Sequence, residues 1–199
     1  MRAAIVRPLT AWRAAAWLLG LLPAVLLARG IVSGDLGPNP VETLEHDTGL
    51  WALRLLLLGL AMTPLRRLTR RAEPIQVRRL IGLWGWFWVS VHLVIYLTFD
   101  LQWSPSELMA DLVKRTYITL GFAGWLLLLP LALTSTRGWQ RRLKRRWVQL
   151  HKLVYPAVLL GGIHFFWLVK SDIREPLLYL AIWLGLMLAR IQRPARPAL

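Results

Sequence analysis

Apolar residues in this chain are gathered into six blocks, each about 15–20 residues long, roughly what a helix needs to cross a ~30 Å hydrocarbon layer. The blocks fall at 14–28, 50–65, 80–99, 117–134, 153–169 and 177–191. Polar connections of contrasting charge separate them. Connection 29–49 holds the turn-rich SGDLGPNP and four acids (Asp35, Glu42, Glu45, Asp47) against one arginine. Connection 66–79 holds six arginines, and 135–152 carries seven basic residues and no acid. Pro23 predicts a kink in the first span, and a short surface helix is predicted over 105–113. The pattern implies an all-α fold, a polytopic membrane protein built as a six-transmembrane-helix bundle.

Composition agrees with one membrane domain over 1–199, its core about 14–191. The 199 residues are 56% hydrophobic with a mean hydropathy of +0.48, and the apolar residues are blocked rather than dispersed as in a soluble domain. The first span follows arginines, as a signal peptide would. Its small-residue pattern at Ala24, Ala28 and Gly30 is weak for cleavage and five spans follow, so it reads as a retained helix. There is no cysteine, which excludes disulfides, iron–sulfur clusters and thiolate ligands.

A net charge of +15 would suit a nucleic-acid binder, but its placement argues for a membrane. The even-numbered connections and the two ends, counting Arg190 at the edge of the last block with the C-terminal end, carry 19 of the 25 lysines and arginines, the odd-numbered connections five, and Arg54 lies within span two. By the positive-inside rule both termini are expected in the cytoplasm. The arginines are then topology determinants and contacts for membrane lipid, with no nucleic acid involved. Trp84, Trp86, Trp103, Trp139, Trp147 and Trp167 lie near expected interfaces and read as anchors rather than cofactor contacts.

The candidate chemistry lies in histidines. A histidine deep in an apolar span is costly unless something compensates it. His92 lies 13 residues after Arg79 and His164 lies 12 after Lys152, about 20 and 18 Å up two helices running the same way. Two imidazoles at one depth on separate helices can take the two axial positions of one haem iron. A bare metal ion fits less well, for no carboxylate or cysteine shares that depth. Gly82, Gly85, Gly161 and Gly162 suit close approach of a flat macrocycle, or ordinary close helix packing.

His151 sits near the cytoplasmic surface, level with Arg78. Fourteen residues return a helix almost to the same face, so Arg78 and His92 can point the same way; 13 leave His151 and His164 roughly 140° apart unless Pro156 bends the backbone. Two readings of His151 stay open. It is either a ligand to a second haem whose sixth position Arg78 approaches, or an interfacial histidine paired with lipid phosphate. His46, in the acidic outer connection, reads as a surface or loop-packing residue. No nucleophile elbow, phosphate-binding glycine loop or GxGxxG fingerprint is present, and acids occur only at span ends, which disfavours a carboxylate proton relay. With no soluble domain for a nicotinamide, electrons must come from another molecule.

Three stretches carry a family resemblance: HDTGLWALRLLLLGLAMTPLRR (46–67), RRLIGLWGWFWVSVHLVIY (78–96), and the segment 141–172 with LHKLVY and HFFWLVKSD. With them the chain resembles, from about Gly30 to the sixth span, the haem-binding membrane subunits (MsrQ) of the bacterial protein-methionine-sulfoxide reductase system, within the ferric-reductase-like transmembrane superfamily. The resemblance implies haem b, one or two, on His92, His151 and His164, with Arg78's role open, and FMN at unassigned residues. It implies an inner-membrane location and a periplasmic molybdopterin-containing methionine-sulfoxide reductase as partner, fed by a cytoplasmic donor, a flavin reductase or quinol. The rivals are a ferric reductase or other cytochrome b subunit, and a haemless transporter or assembly factor. A lipid-modifying enzyme would lack any recognisable nucleophile.

Overall fold

The structure is a computed structural model and describes residues 2–169 and 171–191, with side chains from residue 8 onward. All regular structure among these residues is helical. The order is α1 (Arg2–Ser33), α2 (Pro40–Thr69), α3 (Glu73–Phe99), α4 (Pro105–Lys114), α5 (Thr116–Leu133), α6 (Arg137–Leu143), α7 (Arg145–Leu150), a 3-10 turn (His151–Leu153), α8 (Val154–Leu168) and α9 (Arg174–Ile191). The helix α1 continues through Pro8 and Pro23.

The first difference from expectation is at α2. It starts at Pro40, so the acid-rich run before Gly49 is helix and not loop. The cause is a local cap. Asn39 Oδ1 accepts from the Glu42 N–H at 3.4 Å, Asn39 Nδ2 donates to Glu42 Oε2 at 3.1 Å, and Pro40 takes the position where a missing N–H costs nothing. Glu42 sits at the positive end of the helix dipole, while Arg66 and Arg67 in the last turn complement the negative end. The surface helix α4 forms as expected. Ser104 caps it through the Glu107 N–H, and Asp111 ties it to α3 by accepting from the Tyr96 hydroxyl at 2.6 Å.

Helix α2 is the axis of the molecule. One face packs with α5, α8 and α9 through Leu50, Leu53, Leu57, Leu60, Leu128 and Val158. The other packs with α1 and α3 through Ala52, Leu55, Met62, Val77, Ile81 and Trp88. A helix buried on two sides reads as leucine all round, and the run Leu55–Leu58 is the result. Trp88 donates from Nε1 to the Gly20 carbonyl at 2.8 Å and so fastens α1 to α3. Outward faces carry large exposed apolar side chains, such as Leu18 and Val25 on α1 and Leu178, Leu184 and Leu188 on α9. Such a surface suits lipid and not water.

Among the described residues, four helical stretches are long and apolar enough to cross a membrane: Pro8–Ser33, Pro40–Thr69, Glu73–Phe99 and Thr116–Leu133. The fifth and sixth expected spans are α8 and α9, and these fall short of that standard. Helix α8 has 15 residues, about 22 Å of rise against a ~30 Å core. Helix α9 carries Arg174, Glu175 and Arg190 at its two ends. The expected C-terminal tail beyond residue 191 lies outside the described residues.

Candidate functional site

Antiparallel packing of α2 on α3, and of α5 on α8, brings the start of one helix beside the end of the other. This brings the rings of His92 of α3 and His164 of α8 together in an edge-on arrangement, with ring centroids 6.3 Å apart and ring planes at 76°. Each ring is held by a backbone carbonyl of the neighbouring helix. His92 Nδ1 lies 2.9 Å from the Glu45 oxygen, and His164 Nδ1 lies 2.7 Å from the Tyr117 oxygen. A carbonyl can only accept, so Nδ1 is the protonated nitrogen in both rings. Nε2 therefore keeps its lone pair, the form in which imidazole binds a metal.

The pair fits haem iron. A metal–imidazole bond is about 2 Å, so two rings coordinating one ion from opposite sides stand roughly 6 Å apart, centre to centre. Among the described residues, no group of three His, Cys, Asp or Glu side chains could hold an ion. A porphyrin would supply the four further nitrogens that the described residues do not. Among the glycines singled out in the sequence, Gly85 and Gly162 are explained by packing, since a Cβ there would meet Leu56 and Leu180, at 2.8 and 2.7 Å. Gly82 has nothing within 4 Å of such a Cβ and Gly161 only Leu53 at 3.9 Å, so these two leave room.

The family described as "Ferric reductase like transmembrane component" matches residues 48–162. The "Protein-methionine-sulfoxide reductase heme-binding subunit MsrQ" of Xanthomonas axonopodis pv. citri is 58% identical over 156 residues, 77% of this chain and 72% of that protein. The protein of the same name in Rhodospirillum rubrum is 48% identical over 178 residues, 89% of this chain and 85% of its own length. The chain belongs to the MsrQ family. No solved structure matches it.

Within this MsrQ-type chain, His151 stands apart from the other two histidines. It opens the 3-10 turn between α7 and α8, so the chain is not one straight helix from His151 to His164. The break is at this turn and not at Pro156, which occupies the first turn of α8, where its missing N–H is harmless. His151 Nδ1 lies 3.0 Å from the Trp147 carbonyl, and its ring stacks on the Trp147 indole at 3.8 Å. Burial lowers its pKa from the ordinary value and the Arg78 charge pushes the same way, against the Trp147 and Leu131 carbonyls. The neutral, ligand-competent ring is thereby favoured. Arg78 donates to Thr63 Oγ1 at 3.4 Å.

Trp147, expected as an anchor, thus contacts a candidate ligand; its Nε1 donates to the Thr134 carbonyl at 2.9 Å. Trp103, Trp139 and Trp167 are exposed. His46 lies on helix α2 rather than in a loop, edge-on to Phe165 at 5.8 Å and 3.5 Å from Asp47. Sequence reasoning missed the two carbonyls that orient the facing rings, because a backbone oxygen has no residue signature. It also missed Gly49 and Gly121, which lie against those rings.

Proposed function

We propose that this chain is a haem b-containing electron-transfer subunit of the bacterial inner membrane. In this reading it passes electrons from the cytoplasmic side to a periplasmic molybdopterin-containing methionine-sulfoxide reductase that repairs oxidised envelope proteins. The observation that carries the reading is the facing pair His92 and His164, both with Nδ1 on a backbone carbonyl and Nε2 free. The relatives' printed name, a heme-binding subunit of that reductase system, supports the same assignment.

When bound, haem supplies a one-electron couple whose potential the axial ligands and surroundings tune. The chain's own residues do the rest. His92 and His164 would present Nε2 to the iron, and the Glu45 and Tyr117 carbonyls fix the tautomer. Leu53 and Phe165 belong to a packed apolar cluster that keeps water from the bundle. His151, with Trp147 on its face and Arg78 in electrostatic reach, is the proposed ligand of a second haem nearer the cytoplasm, where a flavin reductase or quinol delivers electrons. FMN is assigned to that side by family resemblance. Orientation follows from the arginine-rich connections, with α8 and α9 as the fifth and sixth spans and both termini cytoplasmic.

The ferric-reductase description of the matching family favours one second reading, in which the same haem serves another acceptor. Stopped-flow mixing separates the two. Reduced protein should be re-oxidised by a purified periplasmic methionine-sulfoxide reductase supplied with sulfoxide. Re-oxidation by ferric chelates alone would favour the second reading.

A further inference from the structure

The two histidine supports are built alike. His92 reaches back 47 residues to the Glu45 carbonyl, and His164 reaches back 47 to the Tyr117 carbonyl. Four residues beyond each carbonyl stands a glycine, Gly49 and Gly121. All three parts recur at a constant offset (45 and 117, 49 and 121, 92 and 164). The runs that follow, LLLLGLAMT from Leu55 and LLLLPLALT from Leu126, match as well, one residue out of step.

Helix geometry explains the spacing. The carbonyl of residue i is the one that closes the turn on residue i+4. Every Cα–Cβ bond tilts toward the helix N-terminus, so a side chain at i+4 lies over the turn that holds that carbonyl. An imidazole can press onto the carbonyl only if i+4 has no side chain. A Cβ added at Gly121 would stand 2.9 Å from His164 Nδ1 and 3.1 Å from Cε1. One added at Gly49 would stand 3.2 Å from both Nδ1 and Cε1 of His92. The atoms it would strike are those of the ring and its orienting hydrogen bond.

We propose that Gly49 and Gly121 are positioning residues for the two haem ligands, forming with the Glu45 and Tyr117 carbonyls a pair of equivalent sockets that set each ring's plane and tautomer. The inference rests on haem ligation by His92 and His164. The sockets come from the α2–α3 and α5–α8 pairs, so each half of the bundle supplies one ligand and its seat.

The test uses holoprotein carrying Gly49→Ala or Gly121→Ala, with Gly185→Ala as control because Gly185 is exposed and nothing lies within 4 Å of its added Cβ. The readouts are haem per chain, the largest ferric EPR g value and the midpoint potential, on material passed as folded by circular dichroism and gel filtration. The control should match the unaltered protein. Gly49→Ala should keep haem with a displaced g value and potential, its ring having only a few tenths of an ångström to give. Gly121→Ala, the tighter seat, should lose most of the haem at that site. Unaltered signals in both variants overturn the sockets. Should a variant fail to fold, the unaltered protein still decides: after exchange into D2O, pulsed EPR should find one exchangeable deuteron on each axial imidazole. An axial imidazole without one overturns the proposal. Histidine substitutions that leave haem in place would overturn the ligation reading beneath it, not the sockets alone.

Discussion

Arg54→Met should loosen α9 from the rest of the bundle. Arg54 is a charged residue amid the leucines of α2, and its hydrogen-bond partners lie across the interface on α9. Its Nε donates to the Tyr179 hydroxyl at 2.8 Å and its Nη2 lies 3.4 Å from Glu175 Oε1. Tyr179 also donates to Glu175 at 3.2 Å, and the guanidinium sits over the rings of Trp51 and Tyr179. A hydrogen bond to a charged group is worth about 1.5–3 kcal/mol when buried, an exposed ion pair about 0–1. The side chains of Arg54 and Glu175 are 40% and 42% exposed, so the substitution should cost about 1–2 kcal/mol, the middle of that range. The loss is larger where the unpaired Glu175 carboxylate meets lipid and not water. Thermal unfolding of the detergent-solubilised protein, followed by circular dichroism, measures it. Glu175→Gln should cost a similar amount, and the double variant less than the sum of the two, because each single change strands the other's charge. Strict additivity, or an Arg54→Met protein as stable as the unaltered one, would refute the triad as a fastening of α9 to α2.

Three further outcomes are expected. His151→Ala should remove a distinct haem population or slow reduction from the cytoplasmic side; unchanged haem content and kinetics would sink the second site. Trp88→Phe should cost about 1–3 kcal/mol, because the Gly20 carbonyl loses its buried donor, with the same thermal assay reading the change. Reporters fused after Gln192 should be found in the cytoplasm, and a periplasmic signal would overturn the six-span count.

Much of the architecture is legible in the sequence where local chemistry and hydrophobic blocks agree. The sequence predicts α4 over 105–113 and α5 over 117–134, and both form within a residue or two. Ser104 followed by Pro105 is a strong start signal, and an apolar block with no internal charge has one helical solution. The start of α2 was hidden because four acids and a Gly–Pro turn look like a loop, although Asn39–Pro40 and Glu42 spelled out a cap. Counting 100° per residue gives the relative facing of His151 and His164 only along an unbroken α-helix, and the 3-10 turn at His151–Leu153 advances the chain by a different angle. The facing histidines were found because polar rings at equal depth are conspicuous in apolar spans. Their seats were not, since each joins a backbone oxygen to a residue defined by having no side chain.

The central claim is tested most directly by reduced-minus-oxidised absorption spectra of the detergent-purified protein, with haem counted per chain, beside His92→Ala and His164→Ala. The account predicts sharp reduced α and Soret bands of a low-spin b-type cytochrome, and loss of the same component in either variant. A colourless protein expressed with ample haem, or a variant that keeps its full spectrum, would contradict it.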